Sequence, residues 1–429
     1  PARPEASMLI TRRQAAAGAM AAALSLGRRG WAATPARPAP ANPLPLGALF
    51  PMTGDAALIG DESFRGLVLA SNKLNGGGGL LGRTVALKRA DAPDAGHAAD
   101  AVKALADGQK VAAIFGTGVT SIALAASEAA GLAGVPYFEL TATGAAVTGR
   151  TIPTIFRSCP QADAYGTMSV AGVTEVLAPL WRRSPASLRL AVLAESGTLG
   201  QAVAAAQTAS FRQHRLTPTQ TLSYEEGTVD FAPLLRPLKV AGIEVLLHTG
   251  AANDVVLLYR AMQQAGWRPR MVIGCGPAYA MADTRQAVGT ALDGTMAADF
   301  PPYAVNAAEA PGVAAVAAAY RTLYGADPRS GLSLAAYVGA GIFFAAIARA
   351  GSVDGTKLRA AVLASNVPCR TTANGWGALF DASGQNRRAG TALLQWQDGR
   401  AVTVYPQAAA VAEAEGALAP QPAAGGGTP

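Results

Sequence analysis

Cysteine, histidine and charge are all scarce in this chain, and each shortage removes a class of protein. Three cysteines in 429 residues cannot staple a small disulfide scaffold, and no Cys-x-x-Cys pair is present. Three histidines, His97, His214 and His248, are too few and too scattered to suggest a zinc site. Charged residues make up 15% and aromatics 6%, while half of the chain is hydrophobic. That balance excludes a disordered polyelectrolyte. Catalytic signatures are missing as well. The Gly-x-Ser-x-Gly elbow of serine hydrolases does not occur. The first βα turn reads Phe50-Pro51-Met52-Thr53-Gly54, without the glycines of a dinucleotide site. Gly116-x-Gly118 has Ser121 at the third glycine position, and no P-loop lysine follows. The expectation is a protein without cofactor, metal or catalytic activity; an α/β enzyme is the weaker alternative.

The net charge of +7 invites a nucleic-acid partner, but its distribution argues otherwise. The first 41 residues hold six arginines against one acid, Glu5, so the rest of the chain carries only +2. No basic footprint for phosphate remains there. Within 8–41, Arg12-Arg13 precedes the uncharged run 14–27, and small residues and a Pro/Ala stretch follow. This reads as an export signal and linker, and hence a periplasmic destination. The paired arginines resemble a twin-arginine signal, with Ala15 where Phe is usual. A second apolar stretch, 330–348, is uncharged and long enough to cross a bilayer. Its Ser, Gly and Ala content, and its place inside an α/β pattern, favour a buried helix.

A chain this long is expected to form more than one packed unit. From residue 44 short apolar runs alternate with longer helix-period segments. Strands are expected at 44–50, 84–90, 111–115 and 135–140. The same grammar restarts after 158, with strands at 188–194, 219–224, 243–249 and 271–274. Continuous apolar strands separated by helices imply parallel sheets covered on both faces. The expected fold is therefore α/β, with two doubly wound parallel-sheet lobes. The segment 407–429, rich in Ala, Pro and Gly, is expected to be a disordered tail.

Several segments, taken in order, resemble one family. They include Leu46-Gly47-Ala48-Leu49-Phe50-Pro51-Met52-Thr53-Gly54, the Asn75 to Arg83 glycine run, Ile114-Phe115-Gly116 and Gly134-Val135-Pro136. Thr141-Ala142-Thr143, Thr228-Val229-Asp230-Phe231, Tyr320 to Gly325 and Phe380 to Gly384 follow. Together they resemble the periplasmic solute-binding proteins of branched-chain-amino-acid-type ABC importers, from about residue 44 to 406. The resemblance implies a type I binding-protein fold whose lobes close on a ligand. Three hinge segments are expected near 157–161, 299–302 and 349–353. Lobe 1 is then 44–158 plus 299–350, and lobe 2 is 159–298 plus 351–406. The implied partners are a small-molecule ligand and the membrane permease and ATPase of an importer, with the binding protein itself a monomer. A periplasmic ligand sensor of the same fold is the alternative.

Two loops carry the expected chemistry. Gly118, Thr120 and Ser121 lie between a strand and a helix, where free N–H groups favour an anion; simple capping by the hydroxyls is the plainer reading. Thr141-Ala142-Thr143 follows a strand, at the carboxyl end where ligands collect in open α/β sheets. The resemblance implies that the Thr120 and Thr143 hydroxyls hold a ligand carboxylate and that Thr141 adds a main-chain contact. Met52 and Ile59, in the first loop, are expected to shape the apolar end of the pocket; the resemblance also implies pocket positions for Leu199, Ala252 and Gly276 in the opposite lobe and for Tyr337, whose plainer reading is core packing. The loop Gly274 to Tyr279 lacks the acid that relatives use for a ligand ammonium. A small carboxylate, an aromatic acid or an amide is therefore expected rather than a standard amino acid. Glu139 ends an apolar strand; it either meets a cationic ligand group or pairs with a structural arginine.

Overall fold

The structure is a computed structural model that describes residues 42–420. The expected export signal and linker, 8–41, lie outside the described residues.

Two parallel sheets form the scaffold, as the apolar runs require. The first comprises β1 (Leu44–Phe50), β2 (Val85–Asp91), β3 (Ile114–Gly116), β4 (Tyr137–Glu139) and β5 (Ile155–Arg157), in the order β2-β1-β3-β4-β5. All of its pairings are parallel. The second begins with β6 (Leu190–Glu195), β7 (Gln220–Tyr224), β8 (Val245–Thr249), β9 (Met271–Cys275) and β10 (Met296–Asp299). A small ladder of β11 (Asn366–Val367) and β12 (Ala378–Leu379) follows. The chain then adds antiparallel β13 (Ala392–Gln397) and β14 (Arg400–Tyr405) to the second sheet, giving the order β14-β13-β10-β9-β8-β6-β7. Each sheet reverses its strand order once, between β1 and β3 and between β6 and β8. The loops at those carboxyl ends are where an open α/β sheet collects ligands.

The apolar stretch is the helix Leu332–Ala350, and most of its residues are buried in the first lobe. Among the described residues it alone is long and apolar enough to cross a membrane. It packs against the helix Ala57–Gly76 so closely that a Cβ on Gly66 would sit 2.1 Å from the Ser333 carbonyl oxygen. Buried Glu62 ties the two together by accepting hydrogen bonds from the Ser333 and Tyr320 hydroxyls.

Two boundaries differ from expectation. The chain was expected to leave the first lobe near 349–353. Instead Leu358 and Val362 of the helix Gly355–Leu363, together with Ala378 and Phe380, remain in the core around β1. The second sheet is rejoined only at β13. Glycine at 351 ends the apolar helix, and an apolar edge on the next helix still needs cover, so the chain folds back on the same lobe. The expected disorder of 407–429 does not apply to 407–420. Leu418 is buried in the second core, the Leu418 amide donates to the Arg270 carbonyl, and Trp181 Nε1 donates to the Gly416 carbonyl. Low sequence complexity hid one apolar anchor and a run of backbone donors and acceptors.

Candidate functional site

In the first lobe the crevice loops are organised around Glu139. Its carboxylate is fully buried and receives the Thr117 amide on both oxygens, at 2.8 and 2.9 Å. The Thr141 and Ala142 amides donate to it at 3.0 and 2.7 Å, and the Tyr137 hydroxyl at 2.8 Å. Glu139 is thus an internal anion that shapes the two loops, and neither expected role applies. Arg157 stands opposite it on β5, but the Arg157 guanidinium bonds Gln385 Oε1 at 2.6 Å and the Gly144 carbonyl instead. A strand end beside two glycine-containing turns offers converging backbone donors, and those satisfy the carboxylate without a cation.

Two of the amides in the loop expected to cradle an anion are consequently occupied. The Thr117 amide, and more weakly that of Gly118, already serve Glu139. What remains on this lobe is hydroxyl chemistry and the start of the helix Thr120–Leu132. Val119 precedes that helix without a side-chain cap, so neither Thr120 nor Ser121 is its cap. Thr120 Oγ1 accepts from the Gly144 amide at 3.0 Å, which leaves its proton to donate elsewhere. Ser121 is exposed. Thr141 is turned inward, sharing a 3.0 Å hydrogen bond with Ser63 Oγ. Thr143 is 6% exposed, and its carbonyl receives the Ala162 amide from the chain crossing to the second lobe. Gly118, at φ +99°, tolerates no side chain without strain, and a Cβ there would lie 3.1 Å from Ile59.

Met52 is half-buried against the first core, its amide fixed by Asp91 at 2.8 Å. Tyr337 does not face the crevice. Its ring carries the Lys73 ammonium 5.5 Å from its centroid. Lys73 lies 14 residues beyond Ile59 on one helix, so about 21 Å from the crevice end.

The second lobe supplies an apolar wall. Leu199 and Ile59, from opposite lobes, pack on one cluster with Tyr165, Cys275, Met281, Phe300, Leu332 and Trp376. Gly276, at φ +86°, lies in the same wall, with Leu199 Cδ2 3.6 Å and Tyr165 Cε2 3.9 Å from where its Cβ would be. Ala252 is exposed at the start of the helix Ala252–Gln264 and is no part of this cluster. The lobes are clasped together: the Ala282 amide donates to the Arg329 carbonyl at 2.8 Å, and the Arg329 side chain bridges Asp61 and Asp283.

Sequence reasoning missed Asp299. It ends β10 and is fully buried beside this cluster, with the Phe300 amide and the Tyr165 hydroxyl next to its carboxylate but no well-aligned hydrogen bond on either oxygen. The doubt about a ligand ammonium rested on the lack of an acid after β9. An acid ending an otherwise apolar strand, Met296-Ala297-Ala298-Asp299, was the available signal. Also missed was the fully buried Arg157, held by Gln385 across 228 positions of sequence.

The periplasmic binding protein family model matches residues 43–419. This chain belongs to that family. Its relatives include Leu/Ile/Val-binding protein homolog 8 of Brucella abortus (strain 2308), 38% identical, with 86% of this chain and 91% of that protein covered. Among solved folds, a leucine-binding protein from Thermotoga maritima MSB8 superposes with a TM-score of 0.71 at 21% identity, covering 84% of this chain and 97% of that one. A solute-binding protein from R. palustris, solved with benzoate, gives 0.70 at 20% identity, covering 87% and 99%. The two-lobe α/β fold is therefore that of the type I binding proteins. The family binds small-molecule solutes for ABC transporters and is not one of enzymes.

Proposed function

We propose that this binding protein captures a small organic solute bearing a carboxylate or amide, by closing its lobes around it. In this reading the protein acts as a monomer, is exported to the periplasm, and hands the solute to a membrane permease driven by its ATPase. The observation that carries the reading is the pairing of two unlike surfaces. The first lobe offers the hydroxyls of Thr120 and Thr143 at carboxyl strand ends, whereas the second offers the apolar wall of Leu199 and Gly276. Hydroxyls hold a polar head, and the wall gains by covering an apolar body. A ligand touching both surfaces stabilises the closed state over the open one, which is the signal a permease reads.

The test is a thermal-shift screen of the full chain against aliphatic and aromatic carboxylates, amides and amino acids, followed by calorimetric titration. Thr120→Val and Thr143→Val are expected to weaken binding of the strongest compound tenfold or more; Thr143→Val leaves the unliganded midpoint unchanged, whereas Thr120→Val also lowers it because the Gly144 amide loses its acceptor. Unaltered affinity in both variants rejects the assignment. A sensor role uses the same closure, and capture by immobilised permease rather than by a signalling receptor discriminates the two.

A further inference from the structure

The second lobe buries a histidine with both ring nitrogens engaged. His248 stands on β8 and is fully buried. Its Nε2 meets the Tyr224 hydroxyl at 2.9 Å and its Nδ1 the Tyr279 hydroxyl at 2.5 Å. Tyr224 donates in turn to Asp254 Oδ2 at 3.0 Å, and the Ala251 amide donates to the same oxygen at 2.9 Å. Side chains from β7, β8, the loop after β9 and the helix Ala252–Gln264 thus form one continuous relay. Two glycines make room for it. A Cβ on Gly250 would lie 2.1 Å from the Tyr224 hydroxyl oxygen, and one on Gly274 would lie 1.9 Å from the Tyr279 ring.

Counting protons gives the relay a single direction. Burial lowers the His248 pKa to about 3, so the ring is neutral and carries one N–H. Burial raises the pKa of both phenols, so each keeps its proton. Tyr224 gives its one proton to Asp254; the Thr249 carbonyl is a more distant acceptor at 3.4 Å. Toward His248 the Tyr224 oxygen therefore only accepts, which puts the ring proton on Nε2. Nδ1 is left bare and accepts from Tyr279. Hydrogen bonds run from Tyr279 to His248, to Tyr224, to Asp254, and each partner has one role.

The two ends of the relay lie in different loops at the carboxyl ends of β8 and β9. Asp254 fixes the turn 250–254 through the Ala251 amide. Tyr279 sits three residues beyond Gly276, in the loop that forms the apolar wall with Leu199, and its carbonyl receives Trp396 Nε1 at 2.7 Å. We propose that His248, held as the Nε2–H tautomer, is a positioning residue that couples the loops 250–254 and 276–279, so that they move as one jaw when the lobes close. This rests on lobe closure as the protein's mode of action, and it names the device that keeps the second lobe's face rigid. An apolar side chain at 248 could fill the space but would strand both phenols.

The full chain has three histidines, so selective nitrogen-15 labelling of histidine gives an NMR spectrum of three rings, and His248→Gln assigns the buried one. His97 and His214 are exposed. The His248 ring is expected to carry its proton on Nε2, to exchange it slowly, and not to titrate between about pH 5 and 8. Tyr224→Phe keeps the ring packed on Phe231 and removes only the middle oxygen. It is expected to mix the two His248 tautomers and to speed hydrogen exchange at the Gly276 and Ala280 amides tenfold or more relative to those of β6. Tyr279→Phe is expected to do the same at the Ala251 amide. Tyr259→Phe removes a buried hydroxyl that bonds Thr295 in the same lobe, outside the relay, and should leave the tautomer and both loops unchanged. A proton on Nδ1, or titration in that range, overturns the inference. So does exchange in the far loop that rises no more than in β6, or that rises equally in Y259F. Should a variant fail to fold, the wild-type ring decides. None of these readouts involves a ligand. Loss of the relay therefore leaves the crevice reading to T120V and T143V, and unaltered affinity in those two leaves the coupling of the loops intact.

Discussion

Replacing Glu139 by alanine tests whether that side chain is an internal anion or a ligand contact. Four donors reach it at 3.0 Å or less: the Thr117, Thr141 and Ala142 amides and the Tyr137 hydroxyl. Removing the acceptor strands all four in a region that excludes solvent. Each stranded donor costs roughly 1–3 kcal/mol. A carboxylate-sized void admits water that recovers part of this, so a net loss of about 3–6 kcal/mol is expected. For lobes of this size that corresponds to a fall of roughly 6–15 °C in the unfolding midpoint. Glu139→Gln keeps the volume but turns an NH₂ toward amide donors, so a loss of about 2–3 kcal/mol is expected. Denaturant unfolding followed by circular dichroism measures both. A ligand-contact role gives the opposite pattern, with unaltered or improved stability and lost affinity. A loss below about 1 kcal/mol in E139A would refute the reasoning.

Gly66→Ala places a methyl 2.1 Å from the Ser333 carbonyl oxygen and forces two helices apart. Overpacking of this kind is expected to cost at least about 2 kcal/mol, checked by the thermal midpoint. Arg329→Ala removes a half-exposed side chain that spans the lobes, worth roughly 0.6–1 kcal/mol, so ligand affinity should fall about threefold to fivefold. Small-angle scattering of the unliganded variant should show a larger radius of gyration than wild type. Asp299 has a native pKa raised to about 7 against an ordinary carboxyl value when unfolded. Its stabilising contribution is therefore complete at low pH and is lost as pH rises toward 7, a swing of about 4 kcal/mol. Between pH 4 and 7 wild type should lose stability relative to D299N by that amount, and parallel midpoint curves for the two proteins would contradict the burial argument.

Much of this molecule was legible in its sequence because the relevant forces are local or periodic. Apolar runs bounded by glycine turns imposed both parallel sheets, and the helix Leu332–Ala350 was marked as buried by its dilution with small residues. The hydroxyl-bearing loops at 120 and 141–143 were legible because carboxyl strand ends set their place. The order of short segments along the chain pointed to the family. What the sequence could not carry was which polar group answers which. Glu139 and Asp299 are both acids ending apolar strands, alike when read along the chain. One meets the Thr117 amide, from a turn 22 residues back, together with the amides that follow it, and the other lies against the Tyr165 hydroxyl and the Phe300 amide in an apolar cluster. Tyr337 went to Lys73 rather than the crevice, and 407–420 was drawn onto the second lobe by Leu418 and Trp181. Burial and hydrogen bonding at these sites depend on distances between segments remote in sequence, and only the packed fold sets those distances.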